Sequence, residues 1–148
     1  MPDRFTHARV LCLDGGGRLL LMKWRDPFDG HDTWEPPGGG IEEGETPRQA
    51  AARELREEAG IVAEVSEAYV RVPRDDWWKG KRRDREEPFF VAEAGDAAVV
   101  PDMPTADETD TLVEWRYVAP DDVALLDAPV WPEDPFAVLA RLRAVLAG

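Results

Sequence analysis

The stretch from Thr46 to Gly60 constrains this chain more than any other, because every local signal in it agrees on one helix. Thr46 can accept from the backbone as an N-cap, Pro47 suits the first helical position, and Gln49 stands where a capping box wants Glu or Gln. Residues 50–59 (Ala-Ala-Ala-Arg-Glu-Leu-Arg-Glu-Glu-Ala) are all good helix formers, and Gly60 supplies the stop. With about 3.6 residues per turn, Glu54, Glu57 and Glu58 fall on one face. Leu55 and Ala59, with Ala52 a turn earlier, lie on an adjacent face suited to burial against a sheet.

That glutamate stripe is costly. Like charges at i, i+3 and i, i+4 each destabilise a helix by a few tenths of a kcal/mol. A helix that keeps three of them beside a core is suited to hard divalent cations, which prefer several oxygen ligands. The loop ahead of it, Pro36-Pro37-Gly38-Gly39-Gly40, lets backbone approach a ligand closely, since no Cβ intervenes. Amides near a helix start also favour phosphate oxygens. Glu45 and Arg53 are expected to meet as a structural ion pair when this loop folds back over the helix.

The rest of the chain reads as α+β. Residues 8–13 and 18–24 predict two strands joined at Asp14-Gly15-Gly16-Gly17, and residues 25–40 predict loop. One or two strands are expected over 61–72, another over 88–93, and an alternating one over 112–118. Residues 120–126 predict a short helix or turn. Phe136, Leu139, Leu142 and Val145 predict a C-terminal amphipathic helix over 133–147. No internal repeat or long linker divides the 148 residues, so the expectation is one domain over 1–148.

Composition narrows the partners. A net charge of −13 argues against a stable nucleic-acid complex or adhesion to an anionic membrane. An acidic protein still binds phosphorylated ligands where metal ions reverse the local field. Cys12, the single cysteine, allows neither an intramolecular disulfide nor a thiolate cage, and is expected as a small buried hydrophobe. No run approaches the ~20 apolar residues of a membrane span, and residues 1–5 lack a signal-peptide core. The expectation is a cytoplasmic protein.

Gly39, Glu45, Arg53-Glu54-Leu55, Glu57-Glu58, Gly60 and Ile61, at their fixed spacings over residues 39–61, resemble the signature of the Nudix hydrolases with every defined position filled. The resemblance implies an α/β/α sandwich with a central mixed sheet and a catalytic loop-helix. It implies hydrolysis of a nucleoside diphosphate linked to another group (a nucleoside triphosphate, a nucleotide sugar or a dinucleoside polyphosphate) with Mg²⁺ or Mn²⁺. Carried over, Glu57 and Glu58 would be metal ligands, joined by the backbone carbonyl of Gly38. Glu54 would be the general base or a further ligand. A distal acidic ligand would be Glu108 or Glu114. Gly39, Glu45, Arg53 and Gly60 would give structural support. A Nudix-like sensor that binds nucleotide without cutting it is the alternative, although no acidic position is eroded. A cation-binding protein without phosphate chemistry is a third reading, against which the glycine loop speaks. The family leaves room for a homodimer.

Substrate contacts are less defined. Lys23 and Arg25 end the second strand near the glycine loop, where a cation would meet phosphate or simply be solvated. Residues 71–85 hold seven of the chain's 18 basic residues. They read either as a phosphate clamp, with Arg71 and Arg85 foremost, or as a surface hairpin balancing the acidic remainder. Trp77 and Trp78 could stack on a base, edge the core or contact a second copy. His7 and His31 are expected at the surface. Trp34 should pack its loop, and Trp131 and Phe136 should join the core beneath the last helix.

Overall fold

The computed structural model describes residues 4–148, with Asp107 described by its backbone alone. In it the apolar run near the N-terminus becomes β1 (His7–Asp14), the strand around which the other elements assemble. β1 forms a hairpin with β2 (Leu19–Arg25) and pairs in parallel with the long β6 (Lys81–Gly95). β6 in turn pairs antiparallel with β5 (Val70–Trp78), and β2 pairs with β3 (Asp32–Glu35) and β7 (Leu112–Val118). The short β4 (Gly38–Gly40) lies antiparallel on β1. The mixed sheet follows the order β3-β2-β1-β6-β5, with β4 and β7 off that path.

Both faces of β1 are covered, which explains why residues 10–13 are continuously apolar rather than alternating. Val10 and Cys12 pack under α1 (Pro47–Ala59) with Ala50, Ala51, Leu55 and Ala59. Leu11 and Leu13 pack under α3 (Pro135–Ala147) with Val138, Leu139 and Leu142. Helices thus flank the sheet on both sides, as the sequence predicts. Cys12 is fully buried, as expected. No helix among the described residues is long and apolar enough to cross a membrane.

The strands at 7–14, 19–25 and 112–118 and the last helix sit where sequence patterning puts them. Besides β5 and β6, which extend through 73–78 and 81–87 beyond the strands expected at 61–72 and 88–93, three segments differ. Residues 25–40 are not continuous loop: β3 and β4 are too short for any periodicity, and their pairing with β2 and β1 creates them. Residues 61–69 contribute only a single bridge, Val65 to Ala92, so the strand expected there begins at Val70. A one-and-a-half-turn helix α2 (Ala106–Thr111), capped by the Thr105 hydroxyl, was not foreseen. Residues 120–125 form a 3₁₀ helix, within the expectation of a short helix or turn.

The end of α1 steers the chain toward the site. Gly60 takes φ 68°, the left-handed conformation glycine adopts without penalty. The returning segment then donates Val100 N–H to the carbonyl of Ala59 and Asp102 N–H to that of Glu57, both at 2.7 Å. A Cβ on Gly60 would lie 2.1 Å from the Val100 carbonyl oxygen. Gly60→Ala is therefore expected to lose about 2–4 kcal/mol, the sum of left-handed strain and overpacking. Urea denaturation of the variant measures it.

Candidate active site

Helix α1 forms as predicted: the Thr46 hydroxyl accepts Gln49 N–H, and the Gln49 side chain accepts Thr46 N–H. Burying Ala50, Ala51, Leu55 and Ala59 fixes its rotation, and that rotation sets the glutamates at the boundary between core and solvent. Glu58 is driven furthest in, at 6% exposure, where its Oε1 accepts Gly38 N–H at 3.1 Å. The close approach of β4 needs its glycines. A Cβ on Gly38 would stand 2.3 Å from the Ala8 carbonyl oxygen, and one on Gly39 would stand 2.6 Å from Glu54 Oε1.

Arg53 ties the loop to the stripe. Its Nε and Nη2 grip the Glu45 carboxylate in a fork at 2.8 and 3.0 Å, the predicted ion pair. Nη2 also donates to the Gly40 carbonyl at 2.7 Å. Nη1 reaches Glu54 at 2.9 Å and Glu57 at 3.2 Å, contacts that spacing alone did not reveal. One guanidinium therefore serves three carboxylates.

The titration directions report the crowding. Burial pushes the Glu58 carboxyl well above the usual range, and the nearby Glu54 adds to it against the opposing charge of Arg9. Glu54 is raised by burial despite Arg53. Glu108 is raised by partial desolvation and by the charge of Glu57. Glu45, held by Arg53, is lowered instead. Glu58 has no cation at ion-pair distance among the described residues. A site made only of oxygen donors, with more carboxylates than cations, fits Mg²⁺ or Mn²⁺.

These groups open onto a cleft of about 190 Å³. Glu54, Glu58, Gly38, Gly39 and Gly40 line it together with Trp24, Arg9, Glu35, Trp78, Lys79, Arg83, Glu108 and Thr111. Of the two distal acids, Glu108 is brought here by α2. Glu114 is not: it meets Lys23 at 3.5 Å and Arg116 at 3.1 Å across β7 and β2. A separate group on the 26–31 loop, Asp26, Asp29 and His31, lies within 4.8 Å. Backbone amides of Phe28 and Lys79 already occupy both Asp26 oxygens, at 2.8 and 2.9 Å.

Of the substrate contacts expected from sequence, Trp78 lines the cleft, with the Arg83 guanidinium over its ring and the His31 ring nearly perpendicular to it. Trp77 is largely exposed. Lys23 is held by Asp127 at 3.0 Å, and Arg25 by a two-point pair with Asp32. Arg71 lies over the Phe5 ring, and Arg85 is bound to Glu87 at 2.8 Å. Apart from Trp78, none of these lines the cleft. The basic residues at 71–85 form the β5–β6 hairpin, in which all five arginines meet carboxylates. Cross-strand register makes the pairs of Arg71, Arg82 and Arg83, which a count along the chain does not see, while Arg74–Asp76 and Arg85–Glu87 each join two residues of one strand.

A buried ion cluster beside the cleft was not legible at all. Arg9 Nε binds Glu87 at 2.9 Å, Arg74 binds Glu35, and Arg74 lies 3.8 Å from the Trp131 ring centroid. Burial alone would raise Glu87, but Arg9 and Arg74 outweigh it and hold the carboxyl at about 2. Its members sit in four different strands or strand ends without any repeating spacing. His7, expected at the surface, is half-buried, and desolvation lowers its pKa to about 4. Trp34 is buried and donates to Asp127, while Trp131 and Phe136 pack beside the α3 core.

Comparison with known proteins gives one consistent picture. A family model described as NUDIX domain matches residues 3–139. An RNA pyrophosphohydrolase of Erythrobacter litoralis (strain HTCC2594) is 31% identical, over 97% of this chain and 93% of the relative. A Nudix hydrolase from M. smegmatis, RenU, superimposes with a TM-score of 0.55 at 28% identity, covering 99% of this chain and 89% of that one. A C. elegans Ap4A hydrolase shares the fold, with a TM-score of 0.63 at 21% identity and coverage of 96% and 98%.

The raised Glu58 carboxyl fixes the sign of a pH effect in metal-free protein. Stability is complete below the unfolded carboxyl pKa, where the group is neutral in both states, and is lost as pH rises through the raised folded value. In chelator, Glu58→Gln should melt above the wild type at pH 8 and close to it at pH 4. Calorimetry at the two pH values measures the difference.

Proposed function

The chain belongs to the Nudix family and is a hydrolase of phosphorus-containing anhydrides; from that premise we propose that it cleaves a nucleoside diphosphate linked to a further group, using Mg²⁺ or Mn²⁺ held by the α1 glutamates. The observation that carries this reading is the convergence of Glu54, Glu58 and Glu108 on one cleft, with Glu57 beside them and Glu58 buried without a cation at ion-pair distance among the described residues.

Each residue has a distinct task. Glu57 and Glu58, with the Gly38 carbonyl, would hold the cation, and Glu108 on α2 would be the distal ligand. When bound, a divalent cation neutralises phosphate oxygens and acidifies water. Glu54, which lines the same cleft, would accept the proton of the attacking water. Arg53 and Glu45 keep the loop closed on the helix, so that Gly39 leaves room for Glu54. Trp78 offers a face to the base.

The substrate favoured is a small nucleotide, since the hairpin arginines are already neutralised and the chain carries −13 overall. The name of the E. litoralis relative favours a second reading, the 5′-phosphorylated end of an RNA. A panel of nucleoside triphosphates, nucleotide sugars, dinucleoside polyphosphates and 5′-triphosphorylated RNA, assayed with Mg²⁺ or Mn²⁺, separates the two. Turnover should vanish in chelator and fall by about a hundredfold or more in Glu57→Gln. Full activity of that variant, or metal-independent turnover, overturns the mechanism.

A further inference from the structure

The tip of the β5–β6 hairpin holds a lysine in a conformation that lysine disfavours. Trp78 pairs with Lys81, so Lys79 and Gly80 form a two-residue turn, with φ 53° and 76°. Such turns need positive φ at both positions and favour Asn-Gly or Asp-Gly. Lys79 is the one non-glycine residue at positive φ among those described. Its side chain lines the cleft, and its charge acts on Glu108. All five arginines of the hairpin are matched by carboxylates, whereas the Lys79 ammonium makes no ion pair among the described residues.

The turn is held from below. Asp26, 1% exposed, accepts Lys79 N–H at 2.9 Å and Phe28 N–H at 2.8 Å. A buried carboxylate thereby ties the β2–β3 loop to the hairpin tip through charge-assisted bonds. Phe28 and Gly80 also pack closely: a Cβ at Gly80 would meet the Phe28 ring at 3.4 Å.

The geometry points to Lys79 as the protein's own cation for the substrate's polyphosphate, facing the glutamate wall, with Asp26 as the positioning residue that holds it there. This extends the anhydride-hydrolase reading of the same cleft. A backbone strain kept at a turn where asparagine would be easier is explained when the side chain is needed.

Lys79→Asn tests it, since Asn-Gly is the favoured turn pair and should fold at least as stably. Its KM for the best substrate of the panel should rise about tenfold, the worth of a charge-assisted contact, with kcat within threefold and no loss in Tm. Asp26→Asn should raise KM in the wild type and add nothing further in the Lys79→Asn background. A KM within twofold of wild type in Lys79→Asn, or an equal Asp26→Asn effect in both backgrounds, overturns the assignment. Calorimetric titration with ATP reads the same contact without turnover. Affinity about tenfold weaker in Lys79→Asn supports it even if no panel member is cut, an outcome that would sink the hydrolase mechanism alone; unchanged ATP affinity overturns it.

Discussion

Arg53 makes a compromise possible that the helix could not sustain by itself. Glu54, Glu57 and Glu58 stand within one turn, and Glu58 is buried. By touching Glu45, Glu54, Glu57 and the Gly40 carbonyl, one guanidinium offsets the repulsion and pins the glycine loop against the helix. Its planar fork suits this task, which a lysine point charge would not reproduce. Part of the cost remains, visible in the raised carboxyls of Glu54 and Glu58. On the proposed reading a divalent cation bound there would relieve that residual cost, and the stability the fold gives up would become binding free energy.

The other side of the cleft is built on different physics. The β5–β6 hairpin is dense in charge but nearly self-neutralised, so it presents rigidity more than field. Behind it, Arg9, Arg74, Glu35 and Glu87 form a buried cluster in which paired charges and the Trp131 ring stand in for solvent. Breaking one partner of such a cluster leaves an uncompensated buried charge, which makes the arrangement specific to one register of β1, β5 and β6. Register matters because Trp78, Lys79 and Arg83 reach the cleft only from that pairing.

The carbonyls at the end of α1 connect these two sides. Val100 and Asp102 dock on them, and the chain then turns through α2 to deliver Glu108. Gly60 permits the docking by leaving the Val100 carbonyl unobstructed. A residue read from the motif as a helix stop is thus also the reason Glu108 reaches the cleft.

Local chemistry along the chain determined α1 with its capping box, the shared face of Glu54, Glu57 and Glu58, the Glu45–Arg53 pair and the strand over 8–13, because each depends on neighbours within a few turns or on a short apolar run. Tertiary structure alone placed Glu108 rather than Glu114 at the cleft, paired Lys23 and Arg25 with carboxylates, and assembled the buried ions around Arg74. Those outcomes rest on cross-strand register and on segments 20 or more positions apart meeting in space. Coulomb forces act through space, whereas a one-dimensional reading sees only separation along the chain.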